Sequence, residues 1–236
     1  MKIQRVVIAI IVSLFTASLA HAQYYWAGPP GAGPYFRVGV GPTIFQDSEL
    51  KGFTIAGTGS GSPGQVNYDV GVSGDAAFGW AFNRYVGLDF ETGYTWGRMN
   101  SVQNYAANGS TMGNVPFLAN LTLSLPIPHS NIIPYIGGGV GGADSIFDAH
   151  NFTDANPADG AMYQEYAWGS ESDVVFAYQA FAGVRFMLDP NVSLGIGYQF
   201  FATGNPTFSY PPSPNLNMEF QGVRTHSIML TLQAYF

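Results

Sequence analysis

Six side chains able to carry charge or strong hydrogen bonds, Arg37, Asp75, Asp89, Glu91, Gln179 and Arg185, fall at alternate positions of segments whose intervening residues are largely apolar or aromatic. Asp69 shares the pattern. In a β-strand this alternation puts the polar set on one face and the apolar set on the other. Guanidinium and carboxylate groups gathered inside a narrow sheet cylinder have to pair, because a buried charge left without its partner costs several kcal/mol. Counted from the rim at which the strands end, Arg37, Asp89 and Arg185 sit two or three residues in, with Glu91 one inward step above Asp89. They form an ion-pair layer if shear does not separate them, while Asp75 and Gln179 fall higher. The chemistry expected of such a layer is a structural plug. Its rival is a small gated pore, for which inward glycines such as Gly39, Gly79, Gly137 and Gly197 would leave room for water.

Other chemistry is thinner. Asp144, Asp148, Asp154, Asp159, Glu165, Glu171 and Asp173 follow one another with no Lys or Arg between them, the pattern of a solvated, self-repelling loop. Calcium is the sharper reading of those carboxylates, but Pro157 interrupts Asp154, Asn156, Asp159 and Gly160 and the spacing is wrong for a calcium loop. A hydrolase would need Ser and His within hydrogen-bond reach. His226 and Ser227 are sequential and point to opposite faces, His129 and Ser130 fall in a short turn, and no acid or serine can be assigned to His150. No catalytic residue, cofactor or metal site is expected. Cysteine is absent, which removes disulfides and thiolate chemistry.

The elements that must position these groups are strands. Eight alternating segments run from Tyr35 to the end of the chain, near 35–46, 66–82, 86–96, 114–125, 132–142, 176–186, 192–200 and 225–236. Their outward stripes include Phe36, Val38 and Val40; Tyr68, Val70, Val72, Phe78 and Trp80; Leu88, Phe90 and Tyr94; Ile136 and Val140. Short connections at 83–85, 126–131 and 189–191 alternate with long ones at 47–65, 97–113, 143–173 and 202–222. That asymmetry predicts an all-β, eight-stranded antiparallel up-and-down transmembrane β-barrel with short periplasmic turns, external loops and both termini in the periplasm. A soluble barrel would instead enclose the aromatic stripes, which need more volume than eight strands provide.

Ahead of the strands, Lys2 and Arg5 precede the apolar stretch Val6–Ala20, and Ala20-His21-Ala22 supplies an A-x-A site. This predicts a signal peptide over 1–22, cleaved before Gln23, and a Pro/Gly-rich periplasmic tail over 23–34, leaving 35–236 as the barrel domain. Loss of Lys2 and Arg5 leaves six basic against fifteen acidic residues, a balance that excludes nucleic acid as a partner.

The final strand carries Ile228, Leu230, Leu232, Ala234 and Phe236 on one face and Ser227, Thr231 and Gln233 on the other. It resembles the carboxy-terminal assembly signal of bacterial outer-membrane barrels, which implies the barrel-assembly machinery as a partner. The segments 133–141, 176–186 and 194–200, with glycines and aromatics interleaved, resemble the small outer-membrane β-barrel family of opacity and surface-antigen proteins. The resemblance implies a Gram-negative outer membrane, with membrane lipid and lipopolysaccharide around the barrel, and supplies no shared catalytic residues. Its relatives include surface antigens, adhesins and envelope-stabilising proteins. The expected role is therefore structural or interactive, with host or environmental ligands at the loops. A low-conductance porin is the alternative, and an outer-leaflet lipid-modifying enzyme the third.

Overall fold

The computed structural model describes residues 31–55, 64–102, 105–107, 110–149, 152–154, 169–209 and 216–236. The signal-peptide expectation, with Ala20, Ala22 and Gln23, lies outside these residues, as do Asp159 and Glu165.

Fourteen strands occur among the described residues, in the order β1 Gly33–Phe45, β2 Ser48–Ile55, β3 Gly64–Tyr68, β4 Gly71–Ala81 and β5 Val86–Val102. There follow β6 Tyr105–Ala107, β7 Thr111–Ser124, β8 Ile132–Ala149, β9 Phe152–Asp154 and β10 Gly169–Asp189. The last are β11 Val192–Thr203, β12 Thr207–Ser209, β13 Leu216–Phe220 and β14 Arg224–Tyr235. Eight of them close a ring of antiparallel ladders, β1 to β4, β5, β7, β8, β10, β11 and β14, with β14 returning to β1 through Tyr35 opposite Tyr235 and Val40 opposite Leu230. Closure leaves no barrel edge unpaired, the condition for crossing hydrocarbon with strands.

Apolar stripes face outward as the alternation predicts. Phe78, Phe90, Phe117, Phe176, Ile196 and Leu230 are all exposed, Phe90 at 70 %. The soluble-barrel arrangement is thereby excluded. The carboxy-terminal strand keeps its two faces: Ile228, Leu230 and Phe236 are exposed and Leu232 and Ala234 half-buried, while Ser227, Thr231 and Gln233 are buried.

Three differences from the sequence-based reading have physical causes. First, β1 starts at Gly33, where Gly33 and Pro34 pair with Ala81 and Trp80, so the ladder claims the last two residues assigned to the tail. Second, the segment 66–82 is not one strand. The ladder slips between Asn67 and Tyr68, and Asp69 and Val70 lie between strands. Parity inverts across those two residues: Val66 and Tyr68 face inward, Tyr68 stacking on Phe45 with ring centroids 5.3 Å apart, whereas Asp69 and Val70 are both exposed.

Third, the described parts of the long connections are largely sheet. At the end of the barrel opposite Gly33, β5, β7, β8 and β10 continue beyond the ring as paired strands, with Thr111 opposite Asp148 and Asp173 opposite Ser145. Asp144, Asp148, Glu171 and Asp173 thus stand on strands and not in a loop. A second sheet, β12–β13–β2–β3, joins β5, and β6 bridges β5 to β9. Phe45, Val66, Met99, Met112, Phe147, Phe208, Phe220 and Val223 form one buried cluster at this end. On β5 the change is visible within a few residues, where inward Met99 is buried and outward Arg98 and Asn100 are exposed. That is the polarity of a water-solvated sheet over an apolar core, inverted relative to the belt below it.

Candidate functional site

Inward parity brings Arg37 of β1, Asp75 of β4, Asp89 and Glu91 of β5, Asn120 of β7, Gln179 of β10 and Gln199 of β11 into one cluster across the lumen. The Arg37 guanidinium donates to Glu91 Oε2 at 2.7 Å and lies 3.5 Å from Asp89 Oδ1 and 3.8 Å from Asp75 Oδ1. Asn120 Nδ2 donates to Asp89 Oδ1 at 2.7 Å and to Glu91 Oε2 at 2.9 Å. Gln179 Nε2 donates to both Glu91 oxygens at 3.0 Å and to Asn120 Oδ1 at 2.8 Å, and Gln199 donates to Gln179. From the terminal side, the Tyr35 hydroxyl donates to Asp89 Oδ2 at 2.7 Å. Charge-assisted bonds of this length are the strong ones, and a network that satisfies its members is rigid.

Asp75 and Gln179, which simple counting sets higher, join the layer because the strands of a barrel are tilted and sheared relative to one another. Arg185 does not join it. One level nearer the terminal rim, its guanidinium donates to Gln233 Oε1 at 2.9 Å, to the Tyr235 hydroxyl at 3.0 Å and to Ser124, and lies 4.8 Å over the Tyr135 ring. All of these partners are neutral, so Arg185 closes a hydrogen-bonded floor and not an ion pair. Asp69 is excluded from the lumen altogether and accepts a hydrogen bond from the Asn100 amide on the exposed surface.

The residues that sequence reasoning left out of the site are Tyr35, Asn120, Gln199, Ser124, Gln233 and Tyr235. Their signal was parity alone. Each is a polar or amphipathic residue at an inward position of an otherwise apolar-striped strand, and only the ladder registers show that they converge.

Above the charged layer, Thr43 bonds to both Ser73 and Ser227 at 2.7 Å, and Ser73 donates to Thr95 at 2.9 Å, making a belt of hydroxyls. Leu118, Ala143, Ala177 and Phe201 pack as a further buried set. The glycines expected to leave water space instead seat large side chains. A Cβ on Gly137 would lie 2.4 Å from the Phe181 ring, one on Gly197 2.5 Å from the Tyr135 hydroxyl, and one on Gly79 2.7 Å from the Tyr35 ring. Two cavities of about 20 Å³ flank the charges, one lined by Tyr35, Arg185 and Tyr235, the other by Asp75, Glu91 and Thr225. Each has room for about one water molecule.

His226 faces outward beside Tyr198 and Phe200, whereas Ser227 is buried in the hydroxyl belt, so the two stay on opposite faces. No group of three or more His, Asp or Glu able to hold a metal ion occurs among the described residues.

Residues 7–236 match the family model described as outer membrane protein beta-barrel domain. The chain belongs to this family. Solved structures similar to this outer-membrane barrel include Neisserial surface protein A, with a TM-score of 0.51 and 15 % identity over 88 % of this chain and 100 % of that one. OprG from Pseudomonas aeruginosa gives a TM-score of 0.57 and 12 % identity over 89 % and 100 %. The outer membrane protease OmpT from Escherichia coli gives 0.51 and 9 % over 91 % and 99 %. At these identities the likeness is one of fold, and because a protease shares it, the fold itself leaves catalysis open. No curated protein matches the sequence.

Proposed function

We propose that this outer-membrane barrel is a plugged scaffold that presents a β-sheet head to the cell exterior for contact with host or environmental ligands. The observation that carries the reading is the filling of the lumen at successive levels, from the Arg185 floor through the Arg37–Glu91 layer to the apolar core around Phe147, while strands continue past the ring on one side only. Building a rigid head costs sequence that a simple membrane staple would not need, and exposed loops on a rigid frame are where recognition resides.

The orientation follows the asymmetry of this architecture, with short turns in the periplasm and the longer segments outside. Gly33 and Phe236 lie together at the short-turn rim, where Phe236 N–H donates to the Pro34 carbonyl, and the short turns there support a periplasmic side for that rim. Residues 1–22 act as the signal peptide, and the β14 stripe from Ile228 to Phe236 serves the assembly machinery and then meets lipid.

The test is to shorten segments 47–65, 97–113 and 143–173 one at a time in cells and measure adhesion to surfaces coated with extracellular-matrix protein. Heat-resistant electrophoretic mobility checks that the barrel remains folded. Loss of adhesion with the barrel intact is expected. Equal adhesion of intact and trimmed forms would remove the head from the function.

A further inference from the structure

The lumen carries one surplus negative charge, since Asp75, Asp89 and Glu91 in the charged layer are offset by Arg37 there and by Arg185 in the floor below, which touches no carboxylate. The imbalance is not spread evenly. Asp89 accepts hydrogen bonds from Tyr35 and Asn120, and Glu91 from Arg37, Asn120 and Gln179, so both carboxylates are fully engaged. Asp75 is the exception. Its side chain is 6 % exposed, its approach to Arg37 at 3.8 Å is too long for a hydrogen bond, and its Oδ1 has no hydrogen-bond partner in the protein.

Asp75 lines the cavity above the charged layer, and so does Thr225, whose side chain is also buried and whose Oγ1 is likewise without a partner. Two buried oxygens lacking partners therefore border one space, one of them on the carboxylate that carries the surplus charge. Ser73, Thr95, Gln199 and Ser227 supply further oxygens to the same wall. A guest here has to be small, because the cavity takes about one water-sized body, and hard, because oxygen is the only donor offered. A single positive charge brings the lumen as a whole to neutrality, whereas a divalent ion would overshoot it.

We propose that the cavity between Asp75 and Thr225 binds one monovalent alkali cation, of sodium size, as a structural counter-ion of the lumen. The cation ties β4 to β14 from within, two strands that both flank β1. It makes barrel stability depend on the identity of the salt and not only on its concentration.

The experiment measures urea unfolding of the purified, folded protein in zwitterionic detergent, with sodium chloride exchanged for N-methyl-D-glucamine chloride at constant ionic strength. A ligand that binds only the folded state raises the folded-to-unfolded ratio in proportion to its concentration once well above Kd, about tenfold for each tenfold of sodium. That dependence is expected in the wild type, shifted to higher sodium in Thr225→Val and lost in Asp75→Asn. A wild type indifferent to the exchange would overturn the site. Infrared spectroscopy of the wild type provides a reading that needs no stable variant. A protonated-carboxyl band at neutral pH in sodium buffer, assignable to Asp75 by its loss in Asp75→Asn, would mean that a proton fills the role, and would equally overturn it.

Discussion

Arg37 and Glu91, 54 residues apart in sequence, meet across the lumen with Nη2 2.7 Å from Oε2, and Glu91 is held there by the amides of Asn120 and Gln179. Four strands that do not all neighbour one another are thereby tied through the barrel's interior. Truncating Arg37 leaves Asp89 and Glu91 buried without their cation. Arg37→Met is therefore expected to lower unfolding free energy by about 3–5 kcal/mol, and adding Glu91→Gln to recover part of the loss. Urea titration of the barrel in lipid vesicles measures both; a loss near zero for Arg37→Met would show that the layer does not hold the strands.

Phe147 lies between Phe208 and Phe220, with ring centroids 5.4 and 5.2 Å away, at the centre of the apolar core above the ring. Phe147→Ala removes that centre and should cost about 3–5 kcal/mol. Because the head has its own core, the damage is expected to be local. Hydrogen exchange should speed up in β3, β12 and β13 while β1, β4 and β14 stay protected. Uniform deprotection would mean that head and barrel are one cooperative unit.

Outward residues face a different solvent. Phe90 pairs with Phe78 and Ala119 on neighbouring strands and is among the most exposed of the stripe. Phe90→Arg is expected to destabilise the barrel by about 2–4 kcal/mol in a bilayer, the figure for a cation near the midplane. Arg98→Ala, outward but above the ring, should cost far less, and equal costs for the two would misplace the lipid belt.

The glycine seats give a test of packing inside the lumen. At Gly137 an added Cβ would press on Phe181 and on the Leu121 carbonyl, 2.6 Å away, with backbone on one side and a lodged ring on the other. Gly137→Val should cost about 1–3 kcal/mol by overpacking, and Gly138→Val, whose Cβ would meet only the Gln179 carbonyl at 3.2 Å, less. Urea midpoints of the two variants decide whether the inward glycines are seats or spare room.

The ring was legible in the sequence because a strand that separates lipid from a polar lumen has to alternate at every residue, and Phe36, Val38 and Val40 or Ile228, Leu230 and Leu232 do so without interruption. The head was not, because its strands are short and invert the rule. Met99 and Met112 continue the inward parity of β5 and β7, but an apolar inward residue there reads as noise until one knows that the chain has left the membrane. Arg37, Asp89 and Glu91 were placed together by parity and height. Arg185 was misassigned because height along one strand says nothing about shear between strands, which decides that it meets Gln233 and Tyr235 and no carboxylate. Asp69 was misassigned because the break at Asp69 and Val70 between β3 and β4, across which parity inverts, has no marker in composition.

A lumen filled from floor to head should not conduct, and single-channel recording of the folded protein in a planar bilayer puts this to the test. The wild type should be silent at potentials that leave the barrel intact, while Arg37→Ala combined with Arg185→Ala, which opens both the layer and its floor, should admit discrete current steps. Reproducible steps in the wild type, with ion selectivity altered by Asp89→Asn, would contradict the plug and make the protein a pore.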